Sequence, residues 1–362
     1  MLDDAPVVTA LRAAIARLFY AGLPGPTLDD DTRRLHAQAP FGGVVLFRAN
    51  ASEPRPMREL VRTVHDLDPA LPPLVAIDHE GGRVHRLSPP FTRFPPAATV
   101  ATHGVRAVRD VATAMARELA AVEIDLTFAP VLDVASNPAN PVIGDRSYGS
   151  DPDTVTRCAL TAFRASRAVG IVTCGKHFPG HGDTATDSHL ELPVVDRARR
   201  ELAKTELPPF RAAVAARMPM LMSAHVRYPS LDPQHPATLS RRILTTMLRR
   251  QWRYRGVICT DDLEMQAIAA HHTMAEAAVA AIAAGVDILL VCHGQHHVME
   301  AVDAVEEAVK SGRLDEQRIR ESHRRVTALT RWRLRHRRQV PLSAIGTHAH
   351  RDLNDRVAAP RS

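Results

Sequence analysis

Eight short apolar runs recur along the 362-residue chain. They are "LFYAG" (Leu18–Gly22), "GVVLF" (Gly43–Phe47), "LVAID" (Leu74–Asp78), "LTFAP" (Leu126–Pro130), "IVTCGKH" (Ile171–His177), "MLMSAH" (Met220–His225), "GVICTD" (Gly256–Asp261) and "ILLVC" (Ile288–Cys292). Runs of this length, rich in β-branched residues and bounded by turn residues, suit strands buried on both faces. Most intervals between them hold a helical pattern, as around Val108–Val122 and in Pro152–Val169 and Thr273–Gly285. Strand and helix alternating eight times predicts an α/β fold, a single-domain (β/α)8 TIM-type barrel. Two doubly wound sheets could use the same elements, but no GxGxxG opens a helix, which argues against a dinucleotide site. No Pro/Gly/Ser-rich linker divides the chain. The expected organisation is one catalytic barrel domain over residues 1–340, its last part a helical tail from about Leu314, and a polar tail over 341–362.

Composition narrows the class. Apolar residues make up 45%, enough for a full core, and aromatics only 4%. The net charge of +6 permits an acidic partner without requiring one. The one compact basic run is "RWRLRHRR", Arg331 to Arg338. It raises an anionic-polymer-binding reading, against which stands a solvated helix end favoured by arginine. The four cysteines, Cys158, Cys174, Cys259 and Cys292, form no CxxC pair and sit in apolar surroundings, as reduced buried thiols do. The first residues lack a basic segment leading into an apolar run, and no apolar stretch is long enough for a membrane span. The expectation is a cytoplasmic monomer with no membrane and no nucleic-acid partner.

In a barrel enzyme the chemistry lies at the C-terminal ends of the strands. Here those ends carry Asp78, Lys176, His177, His225 and Asp261, whereas the opposite ends are mostly Gly, Leu, Ile and Met. After the fifth run comes "KHFPGHGDTATDSHLELP", Lys176 to Pro193, with three histidines, two aspartates, a glutamate and a lysine. Its glycines and prolines predict a long loop over the barrel mouth. A polar solvated loop is the bland alternative. A metal site is a second, with His177, His181, Asp183, Asp187 and His189 as donors. The first run, however, ends "FYAG" and supplies no ligand. Acid/base chemistry is the third. Asp187-Ser188-His189 sets a carboxylate two residues from an imidazole, on one side of an extended segment. A carboxylate on one ring nitrogen fixes the tautomer and leaves the other to exchange a proton.

Four stretches together, "DHEGGRVHRL" (Asp78–Leu87), "GDRSYGSD" (Gly144–Asp151), "KHFPGHGDTATDSH" (Lys176–His189) and "TDDLEM" (Thr260–Met265), resemble the motifs of glycoside hydrolase family 3. The likeness is to its single-domain β-N-acetylhexosaminidase branch and runs from about Phe19 to Cys292. It implies a retaining exo-β-N-acetylglucosaminidase acting on a carbohydrate substrate, peptidoglycan fragments (muropeptides) above all. It implies Asp261 as nucleophile, His189 as acid/base and Asp187 as its assistant. Asp78, Arg86, Arg146, Lys176 and His177 would hold the sugar. No metal and no organic cofactor is called for. His181 and Asp183 read as braces of the loop, and His225, Glu80 and Glu264 as supporting residues. Asp262 reads as a turn or helix-start residue.

Retaining glycosidases usually pair two carboxyls about 5–5.5 Å apart; here an imidazole takes the place of one. Larger relatives carry a further domain that supplies a glutamate, and the expectation for this chain is His189 instead. Within the family the alternatives are a β-glycosidase or an N-acetylglucosaminide phosphorylase. Further off stand a metal-dependent barrel hydrolase and an anionic-polymer-binding protein.

Overall fold

The computed structural model describes residues 9–51, 53–188 and 190–359. Eight parallel strands close into a barrel in sequence order. They are β1 (Phe19–Gly22), β2 (Gly43–Leu46), β3 (Leu74–Ile77), β4 (Leu126–Thr127), β5 (Val172–Phe178), β6 (Met220–Ser223), β7 (Val257–Asp262) and β8 (Ile288–Val291). Each predicted run overlaps one of them. Strand β2 pairs with β3 through Gly43–Leu74, Val44–Val75, Val45–Ala76 and Leu46–Ile77. All eight of these residues are buried, as strands covered on both sides must be.

The helices between them start and stop where the local chemistry dictates. Pro152–Val169 opens with Asp151, whose side chain accepts from the amides of Asp153 and Thr154. It closes on Gly170 at φ +94°. A side chain at Gly170 would meet His336 O at 2.2 Å, so this glycine also sets the approach of the last long helix, Glu316–His336. Met274–Ala284 begins with a capping box between Thr273 and Glu276.

Buried charge fastens the N-terminal face. Asp125, ahead of β4, lies 2.7 Å from His65 and 3.0 Å from Arg333. Asp287, ahead of β8, accepts from Arg318 and Arg325, each at 3.1 Å, and from Arg249. The basic run is therefore partly structural. Arg333 is buried on Asp125 and Arg337 pairs with Glu123.

Past Pro341, where composition suggests a polar tail, a helix His348–Val357 buries Leu353 and Val357 against Phe94, Val100 and Val108. Glu118 anchors it, accepting from Gly346 N at 3.0 Å with His350 Nδ1 2.7 Å away. Its apolar residues, Ala349, Leu353 and Val357, are too few to stand out among His, Arg and Asp. Among the described residues no helix is long and apolar enough to cross a membrane.

Candidate active site

Strand β3 delivers Asp78, and the chain then folds back in a tight hairpin, His79–Gly81 against Val84–His85. Gly81 and Gly82 both take positive φ there, so the turn brings Arg86 back beside the strand it left. Arg86 Nη2 lies 3.6 Å from Asp78 Oδ2. From β5, Lys176 Nζ reaches Asp78 Oδ1 at 2.7 Å and Glu80 Oε1 at 2.6 Å. Arg146 grips Glu80 with two bonds of 2.9 Å. Burial would push the Glu80 carboxyl up, but Arg146 and Lys176 overcome it and hold the group well below its ordinary range. Burial would push the Lys176 ammonium down, and Asp78 and Glu80 raise it instead. Glu80 is thus held as a carboxylate and Arg146 and Lys176 as cations, each oriented by the other partners. Such a set gives and accepts hydrogen bonds with vicinal hydroxyls.

His177 is held by Asp133, its Nδ1 2.7 Å from Asp133 Oδ2. Asp133 Oδ1 also accepts from the amides of His177, at 3.0 Å, and His181, at 2.7 Å. Its carboxyl is pushed up by burial but brought below the usual value by the two imidazoles and these donors. Asp133 has no place among the residues expected from sequence. Its one signal is an acid two residues beyond Val131 in the buried stretch that follows β4.

The loop after Phe178 is braced from within, as expected of His181 and Asp183. His181 Nδ1 lies 2.8 Å from Thr184 Oγ1 and its Nε2 3.2 Å from Ser188 Oγ. Burial holds this imidazole down at about 4, so it is neutral. Asp183 pairs with Arg197 through both oxygens. Gly182 passes so close to the chain after β4 that a side chain there would sit 1.6 Å from Val134 O. Asp187 and Ser188 line the same cavity as Lys176 and His177. His189 lies outside the described residues.

Strand β7 ends in Asp261 and Asp262. Asp261 accepts from the Asp262 amide at 2.9 Å. Burial would raise its carboxyl, but His177, His225 and Lys176 nearby bring it below the ordinary value. His225 is itself pushed down by burial. His225 is held by Thr238 Oγ1 at 2.8 Å and by the Asp262 carbonyl at 2.9 Å. Asp261 belongs to two adjoining cavities, which also share Asp78 and Arg86. One, of about 310 Å3, holds Arg146, Lys176, His177 and Asp187. The other, of about 430 Å3, is walled by Phe47, Phe128, Met222 and Leu290. An ionised carboxylate at the junction of the two pockets can add to an electrophilic carbon held between them.

Of the donors considered for a metal in the loop, His177 is engaged with Asp133, Asp183 with Arg197 and His181 with Thr184 and Ser188. Among the described residues, the one set whose ligand atoms converge is Asp262, Glu264 and His293. There Glu264 accepts from the amides of His293 and Gly294 at 2.6 and 2.8 Å, so it ties down the loop after β8. Asp262 joins in this, 3.0 Å from His293 Nδ1. Both acids sit where a turn needs its amides satisfied.

Residues 11–329 match the model of the glycosyl hydrolase family 3 N-terminal domain. A beta-hexosaminidase of Methylococcus capsulatus is 40% identical over 293 residues, 80% of this chain and 86% of that protein. The glycoside hydrolase family 3 β-N-acetylglucosaminidase of Paenibacillus sp. str. FPU-7 superposes with a TM-score of 0.92 at 37% identity, over 97% of this chain and 68% of that one. NagZ from Neisseria gonorrhoeae, solved with N-trifluoroacetyl-D-glucosamine, gives 0.74 at 31% identity, over 94% of this chain and 97% of that one. With this sequence match along most of the barrel, and a barrel whose strand ends gather the four motifs into one site, the chain belongs to glycosyl hydrolase family 3.

Proposed function

We propose that the protein is a retaining exo-β-N-acetylglucosaminidase that removes terminal N-acetylglucosamine from peptidoglycan fragments. The observation that carries the reading is Asp261, ionised at the junction of the two cavities and within the field of Lys176. The sugar occupies the smaller cavity. Its hydroxyls meet Asp78, Arg86, Arg146, Lys176 and His177. In the first step an Asp261 oxygen bonds to the anomeric carbon as the bond to the leaving oxygen breaks, and His189 gives that oxygen its proton. Asp187 orients and polarises the imidazole. In the second step His189 takes a proton from water, the hydroxyl bonds to the anomeric carbon and Asp261 leaves. The relatives named for hexosaminidase activity support the substrate class. The resemblance of the loop motif supports the Asp187–His189 pairing.

We place the reaction in the cytoplasm, where four buried, unbridged thiols stay reduced. The exposed large apolar side chains among the described residues, Val105, Leu190, Val194 and Leu334, are separate along the chain, which supports a monomer. The deciding assay is release of an aryl aglycone from an N-acetylglucosaminide and from a glucoside, with and without phosphate. Preference for the N-acetyl sugar and indifference to phosphate bear the proposal out. Preference for the glucoside rejects the substrate, and a phosphate requirement with a sugar phosphate as product rejects hydrolysis.

A further inference from the structure

At the opposite end of the barrel lies a second concave site, which the chemistry above does not use. It is a cavity of about 420 Å3 floored by Ile171, Pro219 and Val257, at the starts of β5, β6 and β7. Phe163 and Arg167, on the helix Pro152–Val169, form one wall. The helix Glu316–His336 forms the other, with Arg324, Leu329 and Trp332. Arg167 is set over both aromatic rings, its guanidinium carbon 6.0 Å from the centroid of Phe163 and 5.8 Å from that of Trp332. The volume falls in the range of small-molecule sites.

The charge on the walls is one-sided. Five arginines line the cavity against a single carboxylate, Glu321. Arg325 is engaged with Asp287 at 3.1 Å and with Glu321 at 3.7 Å. For Arg167, Arg217, Arg255 and Arg324 no carboxylate among the described residues lies within ion-pair distance. Cations converging on a concave, low-dielectric surface focus their field into it. A guanidinium fork matches carboxylate and phosphate oxygens, and its face stacks on aromatics. The four arginines are exposed around a wall on which Pro219, Ala328 and Trp332 stay open, so a ligand with both an anionic end and an apolar body uses more of the site than either part alone.

We infer that this cavity binds a small amphipathic anion, an apolar body that lies on Pro219, Ala328 and Trp332 and ends in a phosphate, carboxylate or sulfonate held by Arg167 and Arg324. The site takes up the arginine-rich last helix at positions the fold does not consume. Arg333 and Arg337 secure the barrel, while Arg324 faces the cavity.

The test is a titration of the whole protein with anilinonaphthalene sulfonate, a fluorescent apolar anion, followed by competition. Saturable binding that excess N-acetylglucosamine leaves in place is expected. Dodecyl phosphate should displace the probe, and dodecyl maltoside, with the same chain and no charge, should not. Replacing both Arg167→Gln and Arg324→Gln should weaken binding about fivefold or more, the scale of two partly exposed charge contacts. Ala328→Trp, which fills the cavity from the exposed side of the helix, should abolish it while circular dichroism stays native. Equal binding by either variant overturns the assignment. So does displacement by dodecyl maltoside or by inorganic phosphate at the potency of dodecyl phosphate. Displacement by a short single-stranded oligonucleotide, lost in the double variant, would give the face to nucleic acid instead.

Discussion

Arg146 holds Glu80 with two bonds of 2.9 Å, in a position where Glu80 is also the second partner of Lys176. Neither cation is oriented by the substrate; both are set in advance by one carboxylate. Among the described residues, removing that charge leaves Lys176 with Asp78 alone at ion-pair distance and Arg146 with no carboxylate there. Glu80→Gln should raise KM more than it lowers kcat, because sugar contacts are disordered while Asp261 stays in place. It should also destabilise the protein by about 3 kcal/mol, the scale of breaking a buried pair from one side. Steady-state kinetics and urea midpoints check both. A kcat loss with KM unchanged would mean that Glu80 acts on the reacting centre rather than on binding.

Glu206 is buried with one oxygen on Ser136 at 2.8 Å, and burial pushes its carboxyl up to about 7, helped by Asp133 and Asp183. A group with a raised folded value holds its proton in the folded state while the unfolded chain, near 4.5, has lost it. Stability therefore falls as pH rises between those two values and levels off above the upper one. Glu206→Gln should remove that slope and stabilise the protein above pH about 7, by roughly 1–3 kcal/mol. Urea midpoints across the range decide it. An unchanged slope in the variant would assign the titration to another group.

Asp261→Asn should lower turnover by at least about a thousandfold, as losing a nucleophile does, while leaving sugar affinity largely intact. Calorimetric titration with N-acetylglucosamine and trapping of the covalent intermediate in the wild type separate the two effects. Near-normal turnover would remove Asp261 from the proposed mechanism.

His189→Ala should slow the natural substrate by about 10²–10⁴ and a dinitrophenyl glycoside much less, since a good leaving group departs without a proton. With the activated substrate the second step becomes limiting, and a burst of aglycone should appear. Asp187→Ala should show a milder form of the same pattern. The check is kcat/KM across leaving groups of graded pKa. Coinciding slopes for wild type and His189→Ala would exclude His189 as the proton donor.

The barrel was legible because a strand covered on both faces must be apolar throughout, and eight such short runs alternate with helical patterns along the chain. Asp78, Lys176 and Asp261 were legible as polar residues that end such runs. Glu80 and Asp133 were not legible as organisers. Glu80 sits two residues past a strand in a hairpin that has no apolar alternation, and Asp133 is one acid in an apolar stretch. Their partners, Arg146 and His181, come from segments remote in sequence, and pairing across the fold leaves no local signal. The helix His348–Val357 escaped because Glu118, more than two hundred residues away, supplies much of its anchorage. The basic run is explained in the same way in part, since Arg333 and Arg337 answer Asp125 and Glu123, just ahead of β4 and some two hundred residues away.

Asp133 accepts from the amide of His177 on β5 and from that of His181 in the loop beyond it. The strand end that presents Lys176 and the loop that leads to Asp187 are therefore moored to one oxygen. A ligand that steadies the first steadies the second by the same free energy, and the exchange is reciprocal. Slowed amide hydrogen exchange between Gly180 and Ser188 on sugar binding, and tighter sugar binding when that loop is restrained, would be a single number measured from its two ends.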